Sequence, residues 1–363
     1  MNSFLTIIWD FPKGLDFGFY TLRIYSLLFA LGFIIGYQLM KKIFLKEKVS
    51  LDKLESLVIY MVVATIIGAR LGHVFFYQWD YYSLHPMEIF KVWEGGLASH
   101  GAAIAIVVSA YLYSKKVFKD VKRSLWILDR LVIVVALAAC LIRFGNWFNS
   151  EIYGDMANSK FETVFTEPVR ERALAYYGEQ IESIDFEQTG KLKETDSLNL
   201  PILKMTMSFI SDDIANDQIK FAHLITNSMR LNLDNRSAQD MNLLIPDDAF
   251  LIWDSNNPKI ASIEVLGIPR HPTQIYEALA YLLIFIILFS LFQKLGLGEK
   301  RGFLFGAFLL LLFGFRFFIE FLKENQVDAE AAYAINIGQY LSIPMVLIGL
   351  FFMIRAKKVK NDA

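Results

Sequence analysis

Seven runs of predominantly apolar residues, each close to the length that crosses a bilayer, dominate this 363-residue chain. A transmembrane α-helix needs about 20 apolar residues to span roughly 30 Å of hydrocarbon, whereas helices of soluble domains carry polar residues along one face. The pattern therefore predicts an all-α polytopic membrane protein with seven transmembrane helices. The runs cover residues 19–40, 57–77, 97–114, 124–147, 273–293, 303–322 and 333–354.

The basic residues between the runs predict the orientation, since Lys and Arg collect in short cytoplasmic loops. Three or more occur in each of the segments 41–53, 115–123, 294–301 and 355–360, whereas the alternate short loops carry one each. An outside N-terminus and an inside C-terminus place all the basic segments on one side. The opening MNSFLTIIWDFPKG lacks the basic segment and the cleavage site of a signal peptide, so none is expected.

Residues 155–269 separate the fourth run from the fifth and contain no apolar run of 18 residues. They carry 19 Asp and Glu against 10 Lys and Arg, a net charge of −9 in a chain whose total is −1. Apolar clusters within them predict folded structure rather than a bare loop. We predict transmembrane helices 1–4 in residues 1–154, an external (periplasmic) mixed α/β subdomain in 155–269, and helices 5–7 with a basic cytoplasmic tail in 270–363.

The single cysteine, Cys140, lies inside the fourth run. One cysteine provides neither a disulfide nor a cysteine-based metal site, and a small apolar filler is the favoured interpretation. A thiol that takes part in the chemistry would then come from the substrate. No ligand cluster predicts a metal or an organic cofactor, and no nucleic-acid partner is expected.

Polar side chains gather near the predicted outer ends of the runs, whose other halves are nearly all apolar. Ionisable groups inside a bilayer are costly, so each is a candidate functional residue. Transporter sites usually lie near the middle of the membrane, so a shared outer depth favours chemistry on a molecule that enters from the outer leaflet. The residues at this depth are Arg23, Tyr25, Arg70, His100, Arg143, Asn146, His271, Gln274, Glu277, Arg316 and Glu320.

The stretch RFGNWFNSEIYG (143–154) follows the fourth run directly. The planar guanidinium of Arg143 suits a phosphate, and an arginine that only reaches the lipid headgroups is the alternative. If the helix continued, Arg143, Asn146, Ser150 and Gly154 would share one face.

Arg316 and Glu320 stand four residues apart on one predicted helix. They could neutralise each other, or Glu320 could orient Arg316 toward a ligand. His100 is either structural or a group that accepts a proton near neutral pH.

Five stretches resemble the prolipoprotein diacylglyceryl transferase family and occur in the order found there. The resemblance implies transfer of the sn-1,2-diacylglyceryl group from phosphatidylglycerol to the lipobox cysteine of a bacterial prolipoprotein, in the inner (cytoplasmic) membrane. A thioether forms, glycerol phosphate leaves, and no cofactor takes part. The stretches are GARLGHVFFYQWDYYSLHPMEIFKVWEGGLASHGA (68–102), RFGNWFNSEIYG (143–154), RHPTQIYE (270–277), FRFFIEF (315–321) and NIGQYLSIPM (336–345).

The resemblance also implies roles for individual residues. His100 could accept the proton of the substrate thiol, and Arg143 and Arg316 could offset the charge of the leaving phosphate. With Tyr25, these three are the predicted catalytic residues. The predicted substrate-binding residues are Arg143, Asn146, Glu151, Gly154, Arg70, Gln274 and Glu320. Phosphatidylglycerol, prolipoprotein signal peptides and membrane lipids are the predicted partners.

The chain departs from the family pattern in three places. Ala102 stands where a second glycine is common after His100, Lys323 stands where an arginine is common, and residues 165–265 exceed the usual length. Two other functions stay open on the residues alone. One is a carrier or channel for a small anion or a lipid headgroup, and the other is a membrane scaffold whose outer subdomain recruits partners.

Overall fold

The computed structural model describes residues 6–19, 21–159, 161–195, 198–210, 222, 242–323 and 335–356. Among these residues, seven helices are long and apolar enough to cross a membrane, which confirms the predicted polytopic, mostly helical membrane protein. They are Ile24–Lys46, Leu51–Tyr77, Ser99–Phe118, Arg123–Phe148, Thr273–Gln293, Phe303–Leu322 and Ile337–Arg355. The predicted basic residues Lys357, Lys358 and Lys360 lie outside the described residues.

The helices and strands follow one another along the chain with short connections. The helices are α1 (Ile24–Lys46), α2 (Leu51–Tyr77), α3 (Trp79–Leu84), α4 (Ser99–Tyr113), α5 (Arg123–Phe148), α6 (Glu167–Tyr177), α7 (Thr273–Gln293), α8 (Phe303–Ile319) and α9 (Ile337–Arg355). The strands are β1 (Ile7–Trp9), β2 (Gly14–Asp16), β3 (Thr21–Arg23), β4 (Thr163–Phe165), β5 (Ile181–Glu194), β6 (Asn199–Phe209), β7 (Leu243–Leu244), β8 (Ile252–Trp253) and β9 (Ile260–Gly267).

The chain divides into two compact units. The first unit comprises Met1–Leu28, Ile142–Ala278 and Phe318–Ile337, and the second comprises Phe29–Leu141, Leu279–Phe317 and Gly338–Ala363. The predicted division into three consecutive parts remains a prediction.

The first unit contains an antiparallel sheet built from residues of the long segment between α5 and α7. Its described strands have the order β5-β6-β9-β7, and β8 also pairs with β9. One face of β6 alternates buried residues at Leu203, Met205 and Met207, as expected for a strand with one face against a core. Val169 and Ala173 of α6 belong to the same apolar core, so the helix covers the sheet.

The N-terminal segment is bound to the start of this sheet-bearing segment. β1 pairs in parallel with β4, and Thr6 Oγ1 donates a hydrogen bond of 2.8 Å to Glu162 Oε1. Asp10 Oδ1 accepts hydrogen bonds from Thr166 Oγ1 at 2.6 Å and from Arg170 Nη2 at 2.5 Å. Because these contacts are direct, the N-terminal segment and the sheet-bearing segment lie on the same side of any membrane.

In the second unit, α2 and α4 cross with their backbones in contact. A Cβ atom added to Gly101 would lie 2.2 Å from the carbonyl oxygen of Gly68 and 2.6 Å from the Cα of Gly72. Small residues at such crossings let transmembrane helices approach closely. The crossing fixes the position of His100, the residue before Gly101, against α2.

The prediction that polar residues gather at one end of the runs is wrong for α5. Asp129 and Arg130, near the opposite end of this helix from Arg143, are both buried. Arg130 Nη2 lies 2.7 Å from Glu47 Oε1, and Trp126 Nε1 donates to Glu47 Oε2 at 2.9 Å. A buried pair with several hydrogen bonds is tolerated where a lone charge is not.

Asp129 caps the start of α8. Its Oδ2 accepts a hydrogen bond of 2.7 Å from the amide of Gly302, and its Oδ1 accepts one of 2.9 Å from the amide of Phe305. The first amides of a helix have no partner within the helix, and a carboxylate satisfies them well. This cap is a structural use of an acidic group inside a predicted span.

Asp129→Ala is expected to destabilise the folded protein by about 1–3 kcal/mol, because it leaves two buried amides without acceptors. Asp129→Asn retains one acceptor and should lose less. The measurement is the melting temperature of the protein purified in detergent. A melting temperature of Asp129→Ala equal to that of the wild type would refute the capping role.

Candidate functional site

The sequence RFGNWFNSEIYG ends α5 and turns the chain sharply. α5 ends at Phe148, and Ser150 and Ile152 then adopt left-handed backbone angles, with φ of 53° and 58°. The helix therefore does not continue, and the condition for one polar face through Arg143, Asn146, Ser150 and Gly154 is not met. The chain instead turns back, and the amide of Glu151 donates a hydrogen bond of 3.1 Å to the carbonyl oxygen of Asn146.

This turn brings Glu151 back to the last turn of α5. Asn146 Nδ2 donates to Glu151 Oε1 at 2.8 Å, and Asn149 Nδ2 donates to the same oxygen at 3.2 Å. Arg143 Nη1 lies 3.4 Å from Asn146 Oδ1, a long hydrogen bond. Three predicted site residues, Arg143, Asn146 and Glu151, thus form one connected chain.

Glu277 joins two cations in the same unit. Its Oε2 lies 3.1 Å from Arg143 Nε, and its Oε1 accepts a hydrogen bond of 3.0 Å from Lys323 Nζ. Lys323 Nζ also lies 3.8 Å from Oε1 of Glu320. The side chain of Arg143 is 17% exposed, against 9% for Lys323, 1% for Glu277 and 4% for Glu320. An approaching anion would therefore meet Arg143 first.

Sequence analysis placed Glu277 among the polar residues at the outer ends of the runs without a specific role, and treated Lys323 only as a departure from the family pattern. Both belong to an ion cluster of four charged side chains, which we define as Arg143, Glu277, Glu320 and Lys323. A signal was present, because an acid at the start of an apolar helix needs a cation when it is buried. The partner could not be chosen, since Lys323 lies 46 residues further along the chain.

Tyr25 and Gly154 occupy positions with little free space. A Cβ atom added to Gly145 would lie 2.7 Å from Cδ2 of Tyr25, so the tyrosine ring packs on the glycine of the RFGN sequence. A Cβ atom added to Gly154 would lie 2.4 Å from the carbonyl oxygen of Leu322. Backbone cannot move away from such a clash as a flexible side chain can. Close packing is thus sufficient to require glycine at Gly154.

The side chain of Gln274 binds the backbone of the turn that follows α5. Its Nε2 donates a hydrogen bond of 2.8 Å to the carbonyl oxygen of Glu151, and the residue is fully buried at 0% exposure. Its predicted contact with substrate remains a prediction.

His271 lies just before α7, outside the membrane-spanning helices. Burial lowers the pKa of its imidazole, while the nearby carboxylates of Asp155 and Glu162 oppose that shift. A histidine whose pKa is lower in the folded protein stabilises the fold above its ordinary pKa, and this contribution is lost as the pH falls. The neutral form is therefore the one favoured by the fold at neutral pH.

The remaining predicted residues, His100, Arg70 and Arg316, belong to the second unit. The imidazole of His100 is half-buried and packs edge-on against Phe76, with ring centroids 4.9 Å apart. Arg316 is half-buried on α8. Its predicted pairing with Glu320 remains a prediction.

Arg70 has a different environment, being 3% exposed. Its guanidinium donates to the carbonyl oxygens of Ile89 at 2.9 Å, Gly95 at 2.7 Å and Glu88 at 2.6 Å. It also lies 5.0 Å from the centre of the Tyr82 ring. These contacts hold the connection between α2 and α4, and a role in substrate binding remains a prediction.

Within the described ranges, no group of three or more His, Cys, Asp or Glu side chains could hold a metal ion. Cys140 is buried. The chemistry of the first unit is that of a buried ion cluster beside an amide–carboxylate pair, which suits an anionic, hydrogen-bonding ligand.

Comparison with known proteins gives a consistent result. Residues 12–355 match the sequence model of the family described as prolipoprotein diacylglyceryl transferase. Three similar proteins are each named phosphatidylglycerol–prolipoprotein diacylglyceryl transferase. The protein from Porphyromonas gingivalis is 34% identical over 97% of this chain and 95% of its own length. That from Chloroherpeton thalassium is 32% identical over 99% and 97%, and that from Tolumonas auensis is 31% identical over 93% and 92%. With a match that covers all seven spans, the chain belongs to the prolipoprotein diacylglyceryl transferase family.

Proposed function

We propose that the chain transfers the sn-1,2-diacylglyceryl group of phosphatidylglycerol to the lipobox cysteine of a bacterial prolipoprotein. The cysteine sulfur forms a thioether with the glyceryl carbon, the bond between that carbon and the phosphate oxygen breaks, and glycerol phosphate leaves. The thiol gives up a proton and the leaving phosphate gains negative charge. The reaction therefore needs a proton acceptor and cations placed at the phosphate.

The ion cluster around Arg143 carries this proposal. Arg143 is the most exposed of its four charged side chains, and Glu277 fixes its guanidinium through Nε. A guanidinium keeps its charge in a water-poor site and donates two parallel hydrogen bonds to a phosphate. Asn146, in turn, is linked to Arg143 and to the exposed carboxylate of Glu151. These amide and carboxylate groups would hydrogen-bond the glycerol hydroxyls of the lipid headgroup.

The roles of the other catalytic candidates rest on the family motifs. We assign proton acceptance from the thiol to His100 and a further phosphate contact to Arg316. Tyr25 would contribute its hydroxyl beside Arg143, and Glu320 would orient cations through Lys323. Membership in a transferase family favours transfer over the carrier or channel alternative, which would use the same arginines without chemistry.

We also propose that the protein lies in the bacterial inner membrane with the active site facing the outer leaflet. Residues 155–269 would be periplasmic, with the N-terminus outside and the C-terminus inside. The pairing of β1 with β4 requires the N-terminal segment and the sheet-bearing segment to share one side, and the lysine-rich and arginine-rich loops favour the outside for both. Four spans separate the two segments, and an even number returns the chain to the same side.

A transfer assay and a labelling assay test the two parts of this proposal. Purified protein, phosphatidylglycerol and a fluorescent lipobox peptide should yield a peptide with the added mass of diacylglycerol. A peptide of unchanged mass would refute the enzymatic function. For orientation, an impermeant thiol reagent should label Asp185→Cys in intact cells and Lys119→Cys only after permeabilisation, in a Cys140→Ala background. The reverse pattern would overturn the assigned leaflet.

Lys323→Met is expected to lower transfer strongly, because it leaves the two buried carboxylates Glu277 and Glu320 with one cation fewer. Breaking a buried ion pair on one side costs about 3–5 kcal/mol. Glu277 would then have Arg143 as its remaining cation in this cluster, and its carboxylate would compete with the phosphate for the guanidinium. Lys323→Arg keeps the charge and should retain most activity, and kcat/KM of the two variants provides the measurement. Equal activity of Lys323→Met and the wild type would remove the ion cluster from the mechanism.

A further inference from the structure

We propose that Thr273, together with Arg270 and Gln274, is a positioning residue that holds a strained turn and thereby aims the carboxylate of Glu151. The inference rests on the proposed transferase function. It concerns a residue that the chemistry itself does not require, because Thr273 supplies neither charge nor a proton.

The turn is strained at two neighbouring positions. Ser150 and Ile152 have φ of 53° and 58°. A β-branched residue such as isoleucine is a genuine outlier in this left-handed region. Such conformations persist only where the surrounding structure imposes them.

Three side chains from one short stretch impose this conformation. Gln274 Nε2 donates to the carbonyl of Glu151 at 2.8 Å, and Thr273 Oγ1 donates to the carbonyl of Ile152 at 3.1 Å. Arg270 Nη1 lies 3.4 Å from the carbonyl oxygen of Gly154, the longest contact of the three. All three donors have 0% exposure, so water does not compete for the carbonyls. We call Arg270, Thr273 and Gln274 the carbonyl clamp.

Glu151 depends on this clamp because its own side chain is exposed. Its carboxylate meets Asn146 and Asn149 only while the backbone of the turn points it back toward α5. If the turn relaxed toward ordinary backbone angles, Glu151 would swing away and the amide of Asn146 would lose its acceptor. Thr273 is the best test of the clamp, since its hydroxyl can be removed with little change of shape.

The decisive variant is Thr273→Val, which keeps the branched shape and removes the donor. Removing the partner of a buried carbonyl changes an equilibrium roughly 5- to 150-fold, and we expect kcat/KM for phosphatidylglycerol to fall about 10-fold. Thr273→Ser keeps the hydroxyl and should stay within about 3-fold of the wild type. Thr163→Val is the matched control, because Thr163 is equally buried and its Oγ1 has no hydrogen-bond partner among the described residues.

A double-mutant cycle with Glu151→Gln separates positioning from a general loss of stability. If Thr273 acts through Glu151, Thr273→Val should change kcat/KM less than about 2-fold once Glu151→Gln is present. A full 10-fold loss in both backgrounds would overturn the inference, as would wild-type activity of Thr273→Val. Unchanged activity of Glu151→Gln would also overturn it, because Glu151 is the group that the clamp is said to aim.

Gln274→Met provides the second route if Thr273→Val does not accumulate as a folded protein. It removes the donor to the neighbouring carbonyl and is carried through the same cycle with the same expectation. Every comparison is a ratio to the wild-type chain assayed with phosphatidylglycerol vesicles and the lipobox peptide. Transfer by the wild type therefore tests the proposed function, whereas the ratios test the clamp.

Discussion

Arg143→Ala should lower kcat/KM for diacylglyceryl transfer roughly 30- to 5,000-fold, because a phosphate left unpaired in a water-poor site costs about 2–5 kcal/mol. The loss should appear in lipid binding as well as in turnover, since the same charge holds the phosphate before and during the reaction. Glu277 keeps Lys323 as a partner at 3.0 Å, so the variant should still fold. The measurements are kcat/KM and the affinity for phosphatidylglycerol.

Arg143→Lys is the matched control, because it keeps the charge and loses the planar fork. A single ammonium cannot bind Glu277, Asn146 and a phosphate oxygen pair in one plane. We expect an activity between those of the wild type and Arg143→Ala. If Arg143→Ala retained activity within about 3-fold of the wild type, Arg143 would not be the phosphate ligand.

The transmembrane helices were predictable from the sequence because membrane insertion depends on local composition. The largest boundary errors were six residues, at the end of α1 (46 against 40) and the start of α2 (51 against 57). Both lie among lysines such as Lys41 and Lys53, whose long side chains reach the polar region while the backbone stays helical. Charge therefore marked the edge of the apolar run but not the end of the helix.

The ion cluster was only half predictable. Arg143 and Asn146 could be identified because they lie at the end of an apolar run. They are three residues apart, so a helix places them on the same face. Glu277 and Lys323 come from later segments, and their distances to Arg143 and to each other depend on how α7 and the residues after α8 pack. No local pattern carries that information.

The turn after Phe148 could not be predicted for a related reason. Neither Ser150 nor Ile152 is a glycine, so nothing in the local sequence indicates left-handed backbone there. The carbonyl clamp stabilises the turn, because Thr273 donates to the carbonyl of Ile152 and Gln274 donates to the carbonyl of Glu151. Ser150 and Ile152 adopt backbone angles that their residue types disfavour, and such conformations are most common at functional sites.

His100→Asn should lower turnover about 10²–10⁴-fold, the usual loss when a general base is removed. Asparagine occupies similar space and cannot accept the thiol proton, so phosphatidylglycerol affinity should change little. Raising the pH should partly restore this variant, because the substrate thiol, with an ordinary pKa near 8.5, then ionises without help. Arg143→Ala should show no such recovery, since a missing phosphate ligand is not replaced by hydroxide.

The pH–rate profiles of His100→Asn and Arg143→Ala, measured side by side, decide between two roles for His100. His85→Asn is the control, because His85 is exposed in the α2–α4 connection and its Nδ1 lies 3.1 Å from the carbonyl oxygen of Tyr81. It should keep near wild-type turnover at every pH. If His100→Asn stays inactive as the pH rises, the imidazole does not take the proton. His100, packed edge-on against Phe76, would then be a residue that positions the substrate thiol. The thiol would ionise because the nearby arginines lower its pKa.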